Sequence, residues 1–137
     1  FHSVQGEGYW VGSNAYFVRL AGCDVGCKWC DTKQSWDATK HKLLTIEEIV
    51  SSIPDSIAFV VVTGGEPLLH DLKHLTNALK PRRLHLETSG TQKLTGDFDW
   101  ITLSPKSHRL PVLKHCDELK IVIQSLVSAT RSRNQRE

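Results

Sequence analysis

The chain has 137 residues, of which 39% are hydrophobic, and its formal net charge is +2. This length suits one domain with a real apolar core. So small a charge gives no reason to expect nucleic-acid binding, and no apolar run approaches the about 18–20 residues of a membrane span. The first residues also lack the basic and apolar pattern of a secretory leader. We therefore expect a cytoplasmic protein that binds neither nucleic acid nor membrane.

Both ends of the chain look interrupted. The sequence begins at Phe1, already in strand-like composition, and it closes on the charged run 131–137. We therefore expect a fragment, with a single core domain over 1–137 that is incomplete at both ends and has an unplaced tail at 123–137.

Five short apolar segments, rich in β-branched residues, predict strands. Each is followed by polar residues or glycine, a pattern typical of α/β folds whose chemistry lies at the carboxyl ends of parallel strands. The spacing between the later segments is barely enough for a parallel crossover, so we expect an α/β fold of mostly parallel strands with several reduced crossover helices. The predicted strands are 15–20, 57–62, 84–87, 98–103 and 118–123.

Two segments between these strands predict helices. Thr45 and Glu48 form a capping-box pattern at the start of a helix over 45–53. Pro67 suits the first position of a second helix. Leucines at helical spacing predict its buried face, whereas three histidines without ligand spacing are interpreted as surface or capping residues. The leucines are Leu68, Leu69, Leu72, Leu75 and Leu79, and the histidines are His70, His74 and His85.

Three cysteines, Cys23, Cys27 and Cys30, lie within eight residues at the spacing CxxxCxxC. Thiolates are strong ligands for iron or zinc, and such close spacing favours metal binding over disulfides. Structural zinc sites and protein-held iron–sulfur clusters usually have four protein ligands. Three cysteines instead predict an open metal site, and a four-iron cluster held by three cysteines would keep one iron open for a small molecule. Cys116 is too distant in sequence to be assumed a fourth ligand.

Several residues near this loop have two plausible roles when taken alone. Gly6 and Gly8 suit either a plain turn or a loop that approaches a ligand closely. Arg19, just before the cysteine loop, could bind a carboxylate bidentately or pair with a neighbouring acid. Thr32, just after it, would ordinarily be a capping residue.

The CxxxCxxC motif together with Gly-Gly-Glu-Pro at 64–67 resembles the radical S-adenosylmethionine (SAM) superfamily. The resemblance implies a partial (β/α) barrel of the radical SAM type. It also implies a [4Fe-4S] cluster whose open iron binds SAM, so that one electron releases a 5′-deoxyadenosyl radical. Such a radical has to be shielded from water, which an enclosed barrel mouth would do.

Four segments narrow the resemblance to the 7-carboxy-7-deazaguanine synthase family: 1–8, 17–23, 27–32 and 62–67. Enzymes of this family are radical carbon–nitrogen lyases of queuosine and other 7-deazapurine biosynthesis. They contract 6-carboxy-5,6,7,8-tetrahydropterin to 7-carboxy-7-deazaguanine and release ammonia. The resemblance extends to about residue 123.

The same resemblance implies roles for individual residues. Cluster ligands would be Cys23, Cys27 and Cys30, and Thr32 would bind Mg²⁺, for which a hydroxyl oxygen is a suitable donor. SAM would be bound by Trp29, Cys30, Asp31, Gly64, Gly65, Glu66, Glu87, Ser89, Ser104 and Lys106. The pterin would be bound by Val4, Gln5, Gly6, Arg19 and Thr63, with Arg19 taking its carboxylate.

The resemblance further implies an electron donor such as flavodoxin or ferredoxin, and a homodimer when the chain is full length. Two other functions remain open. A glycyl-radical-enzyme activase shares the cysteine motif and the glycine–glutamate segment, although it has no use for Gln5-Gly6-Glu7 or Thr32. A non-catalytic zinc module would need His41 or Asp31 as its fourth ligand.

Overall fold

The computed structural model describes residues 1–123, so Arg131, Arg133, Arg136 and nearly all of the predicted tail lie outside the described residues. The described chain forms one six-stranded sheet in which each strand neighbours the next one in sequence. The strands are β1 (His2–Val4), β2 (Asn14–Leu20), β3 (Phe59–Gly64), β4 (Arg83–Thr88), β5 (Trp100–Leu103) and β6 (Glu118–Leu119).

The sheet is mixed, with parallel pairing dominant. β1 pairs with β2 in antiparallel fashion, whereas every pair from β2 to β6 is parallel. The sheet does not close, and the prediction of a partial α/β barrel with mostly parallel strands is confirmed. Parallel registration brings the carboxyl ends of β2 to β5 to one rim, for example by pairing Arg19 with Thr63 and Glu87 with Thr102.

The two faces of the sheet have different cores. Val60 and Val62 of β3 face the helices, in one cluster with Leu84 and Leu86 of β4. Phe59 and Val61 belong to a second cluster on the concave face. β3 is therefore covered on both sides, which explains why its sequence is a continuous apolar run instead of an alternating one.

The predicted first helix is present as α1 (Ile46–Ser51). Its capping box is confirmed: Thr45 Oγ1 accepts from the Glu48 amide at 3.2 Å, and the Glu48 carboxylate accepts from the Thr45 amide at 2.7 Å. Within the described residues, β4 to β5 and β5 to β6 are joined without any helix, as the short spacings predicted.

The predicted start of the second helix is wrong. Pro67 opens a 3-10 turn, Pro67–Leu69, and α2 begins only at Lys73 and ends at Leu79. The side chain of Glu66 caps the turn by accepting from the Leu68 amide, and His70 then returns to an extended conformation. Because a 3-10 turn has about three residues per turn, the helical leucine pattern is broken there. Leu69 is consequently 42% exposed, although the other four leucines are buried.

The interpretation of His85 as a surface residue is also wrong. Its side chain is 3% exposed, and it lies on the concave face among Trp10, Phe59 and Trp100. Burial, with a smaller contribution from the charge of Arg83, lowers the pKa of His85 to about 4. We call Trp10, Phe59, His85 and Trp100 the aromatic floor. Residues from three strands and a loop build it, so no local pattern could indicate it.

The last strand is shorter than predicted. Only Glu118 and Leu119 have Cα partners in β5, because β5 itself ends at Leu103. Beyond this short ladder, Ile121 and Ile123 are 63% and 65% exposed. None of the helices described is long and apolar enough to cross a membrane.

Candidate active site

A cavity of about 840 Å³ opens at the carboxyl ends of β2 to β5. It is large enough for a cofactor together with a small substrate, since ligand pockets typically measure about 300–1,000 Å³. Every predicted site residue except Glu66 lines it. These are Val4, Gln5, Gly6, Arg19, Cys23, Cys27, Trp29, Cys30, Asp31, Thr32, Thr63, Gly64, Gly65, Glu87, Ser89, Ser104 and Lys106.

The cysteine loop forms one wall and is fixed by backbone hydrogen bonds. The amide of Gly22 donates to the Ser35 carbonyl at 2.7 Å, and that of Cys23 donates to the Trp36 carbonyl at 3.2 Å. Gly22 and Gly26 have φ values of 102° and 68°, a region that favours glycine because it has no Cβ. The glycines therefore let the chain curl so that its three thiols face one cavity.

The Gly-Gly-Glu-Pro segment packs directly against this loop. The amide of Gly65 donates to the Leu20 carbonyl at 2.9 Å, and that of Glu66 donates to the Gly22 carbonyl at 2.8 Å. A Cβ on Gly65 would lie 2.3 Å from the Gly22 oxygen. The two motifs thus form one backbone unit that tolerates no side chain between them.

The thiols of Cys23, Cys27 and Cys30 are all free. Burial, together with the other two thiols, raises the pKa of Cys27, while the nearby Lys106 ammonium opposes this. Burial in turn lowers the pKa of Lys106, whose Nζ donates to Ser104 Oγ at 2.7 Å. Thiolates bound to iron would be stabilised by this ammonium group.

The three thiols line one cavity, and one of the two candidate fourth ligands for zinc makes a different contact. In the part of the chain that the structure describes, no three His, Cys, Asp or Glu side chains converge to hold one metal ion. His41, a proposed fourth zinc ligand, instead contacts the Gln34 carbonyl at 2.8 Å. In a four-iron cluster each cysteine binds a different iron, and three thiols that line one cavity are compatible with such a group.

Cys30 is the thiol with the most donors around it. Its Sγ accepts from the Thr32 amide and from the Trp36 indole nitrogen, each at 3.4 Å. Thr32 Oγ1 lies 3.7 Å from the same sulfur and makes no capping bond to the turn that follows. The Thr32 hydroxyl therefore lies on the cavity wall with capacity for a hard cation such as Mg²⁺. Beside it, Trp29 is 37% exposed at the cavity mouth.

The side chain of Glu66, a residue predicted to belong to the SAM site, is buried and makes its hydrogen bonds inside the protein. The residue is 1% exposed, and it does not line the cavity. It accepts from Thr88 Oγ1 at 2.6 Å, from the Ser89 amide at 2.9 Å and from the Leu68 amide at 3.1 Å, and it also bonds Ser89 Oγ. All of its acceptor capacity is used inside the protein, so this side chain acts by joining β3 to the end of β4.

Glu87 lies among the residues predicted to bind the pterin. Its two oxygens accept from Gln5 Nε2 at 2.9 Å and from Thr63 Oγ1 at 3.0 Å. Arg19 is the registered neighbour of Thr63, with its guanidinium carbon 6.0 Å from the Phe1 ring centre. A carboxylate and a guanidinium thus lie on one wall, where they could bind opposite ends of a polar ligand.

Trp36 and Lys120 are among the residues that line the cavity but were not predicted from the sequence. Lys120 Nζ donates to Glu7 Oε1 at 2.6 Å. Burial alone would lower the pKa of Lys120, but the bond to Glu7 and the charge of Glu87 outweigh it and raise the pKa. Charged Glu118 and Lys120 alternate within an otherwise apolar strand, which is the signal that could have identified an inward-facing pair.

Comparison with known proteins gives the same family from sequence and from structure. Residues 4–136 match the family model described as a 4Fe-4S single cluster domain. A 7-carboxy-7-deazaguanine synthase from Synechocystis is 54% identical over 90% of this chain and 62% of its own length. One from Prochlorococcus marinus is 46% identical over 98% of this chain and 68% of its own length.

A solved structure agrees. The crystal structure of QueE from Escherichia coli superposes with a TM-score of 0.81 and 31% identity, over 98% of this chain and 73% of that one. The chain spans about three fifths of the Synechocystis relative and of another from Flavobacterium psychrophilum. The match covers the sheet, the cysteine loop and the cavity together. This chain therefore belongs to the 7-carboxy-7-deazaguanine synthase family.

Proposed function

We propose that this chain forms the catalytic core of a radical SAM lyase that converts 6-carboxy-5,6,7,8-tetrahydropterin to 7-carboxy-7-deazaguanine with release of ammonia. One observation carries the proposal. A single cavity collects the three thiols, the carboxylate of Glu87 with its partners, and the guanidinium of Arg19. Cofactor chemistry and recognition of a carboxylated heterocycle are thereby brought within one space.

The bound cluster and SAM would supply the electron transfer that generates the hydrogen-abstracting radical. Cys23, Cys27 and Cys30 would hold three irons, and Lys106 would offset their negative charge. The backbone from Trp29 to Asp31, with Gly64, Gly65, Ser89 and Ser104, would contact SAM. Glu66 supports this wall from behind through Thr88 and Ser89.

A second group of cavity residues would recognise the pterin. Arg19 would bind the carboxylate bidentately, since a guanidinium matches that geometry. Gln5 and Thr63 hold Glu87 by one hydrogen bond to each oxygen, leaving it free to accept from ring N–H groups of the heterocycle. Val4 and Gly6 would add backbone contacts. Thr32 would place Mg²⁺ between the protein and the substrate.

We also propose a cellular location, an electron donor and an oligomeric state for the enzyme. Reduced thiols suit the cytoplasm, and the reductant would be a flavodoxin- or ferredoxin-like donor. The full-length protein would be a homodimer. The activase alternative is less well supported, because the Gln5–Glu87–Thr63 set offers hydrogen bonds to a small polar molecule and would have no part in binding a polypeptide.

The decisive experiment is anaerobic reconstitution followed by assay. We expect the protein to bind iron and sulfide, to turn brown, and to form 7-carboxy-7-deazaguanine only when the pterin, SAM, reductant and Mg²⁺ are all present. A parallel incubation with candidate partner polypeptides in place of the pterin tests the activase alternative. Zinc near one per chain without iron would support the zinc module, and a brown protein that makes no product would contradict the proposed reaction.

A further inference from the structure

Trp36 makes a contact with the cofactor site that the family resemblance does not explain. Its indole Nε1 donates to Cys30 Sγ at 3.4 Å. We propose that this N–H···S hydrogen bond makes Trp36 a positioning residue that raises the reduction potential of the iron–sulfur cluster. The inference rests on the proposed function only in that Cys30 is taken to be a cluster ligand.

The position of Trp36 is fixed by the same backbone that fixes the cysteine loop. Its carbonyl accepts from the Cys23 amide at 3.2 Å, and its own amide donates to the Lys33 carbonyl at 3.1 Å. Ser35, its neighbour, is buried and accepts from the Gly22 amide. The indole is therefore held against Cys30 by two segments of the cavity wall, and the contact does not depend on a freely rotating surface side chain.

Among the indoles of the described chain, Trp36 is distinguished by its partner. The Nε1 atoms of Trp10 and Trp100 are buried in the aromatic floor without any hydrogen-bond partner. Cys30 also accepts from the Thr32 amide, so its sulfur receives two N–H donors from the protein. These are a backbone and a side-chain donor, and only the side-chain donor can be removed by a conservative substitution.

The direction of the effect follows from charge. Reduction adds one electron to the cluster, and part of the added negative charge falls on the thiolate sulfurs. A hydrogen bond to a more negative acceptor is stronger, so the bond stabilises the reduced state more than the oxidised state. Hydrogen bonds to sulfur are among the factors that set the potentials of iron–sulfur clusters. Removing the Trp36 donor therefore makes the cluster harder to reduce.

The test is a redox titration of the reconstituted protein followed by electron paramagnetic resonance, without substrate. In Trp36→Phe, which keeps an aromatic ring but no donor, we expect reduction to become about tenfold less favourable, a fall of about 59 mV for one electron. Trp100→Phe is the matched control, because it removes an indole N–H that has no hydrogen-bond partner in the described part of the chain, and its midpoint should equal that of the wild type. An unchanged midpoint in Trp36→Phe with an intact cluster would overturn the proposal.

A second measurement covers the case in which Trp36→Phe fails to hold the cluster. In wild-type protein labelled with ¹⁵N at the indole nitrogen, electron–nuclear double resonance should detect coupling of the reduced cluster to ¹⁵N, and this coupling should persist in Trp29→Phe. Its absence would overturn the proposal. A wild-type protein without any cluster would overturn both this inference and the proposed function. A cluster that shows the midpoint shift but makes no product would overturn only the proposed function.

Discussion

Two layers of side chains with different character lie on the concave face of the sheet. Along each strand, a residue of one layer is followed two positions later by a residue of the other. In β4 the aromatic floor holds His85 and the cavity holds Glu87, and in β5 the corresponding residues are Trp100 and Thr102. Side chains two apart on a strand point to the same face, so the layers are stacked. The floor is filled and apolar, whereas the cavity above it is open and charged.

The two layers also differ in whether their polar atoms have hydrogen-bond partners. Glu87 has a partner for each oxygen, and Lys120 pairs with Glu7. In the floor, His85 Nε2 and the indole nitrogens of Trp10 and Trp100 are buried without a hydrogen-bond partner among residues 1–123. Hydrogen bonds therefore fix the orientation of the charged side chains in the cavity. In the floor, the unpaired buried nitrogens are energetically unfavourable, and the packed rings close the bottom of the site.

The substitution with the largest expected effect tests whether cluster binding and product formation depend on the cysteines of the cavity. Cys27→Ala should abolish product formation and reduce cluster iron to background, because a buried cluster ligand is lost. Cys116→Ala is the matched control, since that thiol is exposed, and it should keep wild-type iron and activity. Iron and sulfide analysis after reconstitution provides the measurement, and a Cys27→Ala variant with full iron content would contradict the assignment of the cluster ligands.

A second substitution tests the buried hydrogen bonds that Glu66 makes behind the cavity wall. In Glu66→Gln an amide cannot accept from both the Leu68 and Ser89 backbone N–H groups as the carboxylate does. One buried donor loses its acceptor, and the free energy of unfolding should fall by about 2–3 kcal/mol. Urea denaturation measures this.

The matched control for that substitution is Glu47→Gln on the exposed first turn of α1, which should change the free energy of unfolding by at most about 0.5 kcal/mol. Equal stabilities for Glu66→Gln and the wild type would show that the buried network does not contribute as described.

A third substitution tests the floor through pH. The folded pKa of His85 is about 4, against an ordinary value of 6.5, so the unfolded chain binds this proton first as the pH falls. The contribution of His85 is fully favourable above about pH 6.5 and is lost as the pH falls toward 4, by up to about 3 kcal/mol. His85→Phe should remove this part of the pH dependence between pH 7 and pH 4.5.

The control for the floor is His74→Phe, because His74 is exposed on α2. Its unfolding free energy should keep the wild-type dependence on pH in urea denaturation. If His85→Phe also keeps that dependence, the histidine is not the titrating group of the floor.

The last comparison is between two arginines at opposite ends of the strands, and the smallest effect is expected for Arg83. Arg19 lies at the rim, whereas Arg83 lies at the base with its guanidinium carbon 5.1 Å from the centre of the Trp10 ring. Arg19→Gln should lower kcat/KM for the pterin about 10- to 100-fold, as expected for loss of a charged hydrogen bond of about 1.5–3 kcal/mol. SAM cleavage without the pterin should be unchanged.

Arg83→Gln should leave kcat/KM unaltered and lower the unfolding free energy by about 0.5–1 kcal/mol, the amount of an exposed cation–π contact. Steady-state assays and urea denaturation on both variants separate the two roles. A large fall in kcat/KM for Arg83→Gln would mean that the two ends of the strands are not functionally distinct.

Features with a local cause were predictable from sequence. The capping box of Thr45 and Glu48 involves residues three apart, and the apolar run of β3 reports its burial on both faces directly. The cavity followed from polar residues at strand ends and from the motifs of the resemblance. Only Glu66 among the predicted site residues does not line it, because its acceptors are taken by Thr88 and Ser89 on a neighbouring strand.

Features that depend on distant partners were not predictable. His85 is buried because aromatic rings from β3, β5 and the loop after β1 surround it. No residue next to His85 in the sequence indicates these contacts. Trp36 and Lys120 reach the cavity through contacts with Cys23 and Glu7, respectively. The 3-10 turn that precedes α2 is capped by Glu66, whose carboxylate accepts from the Leu68 amide.

The hydrogen bonds that join Gly22 to Ser35 and Gly65 to Leu20 have a consequence for variants of the cysteine loop. They involve backbone groups alone, so a substitution that changes only a cysteine side chain removes none of them. We therefore expect a variant that lacks one cluster thiol to keep the path of the loop and its packing against Gly65.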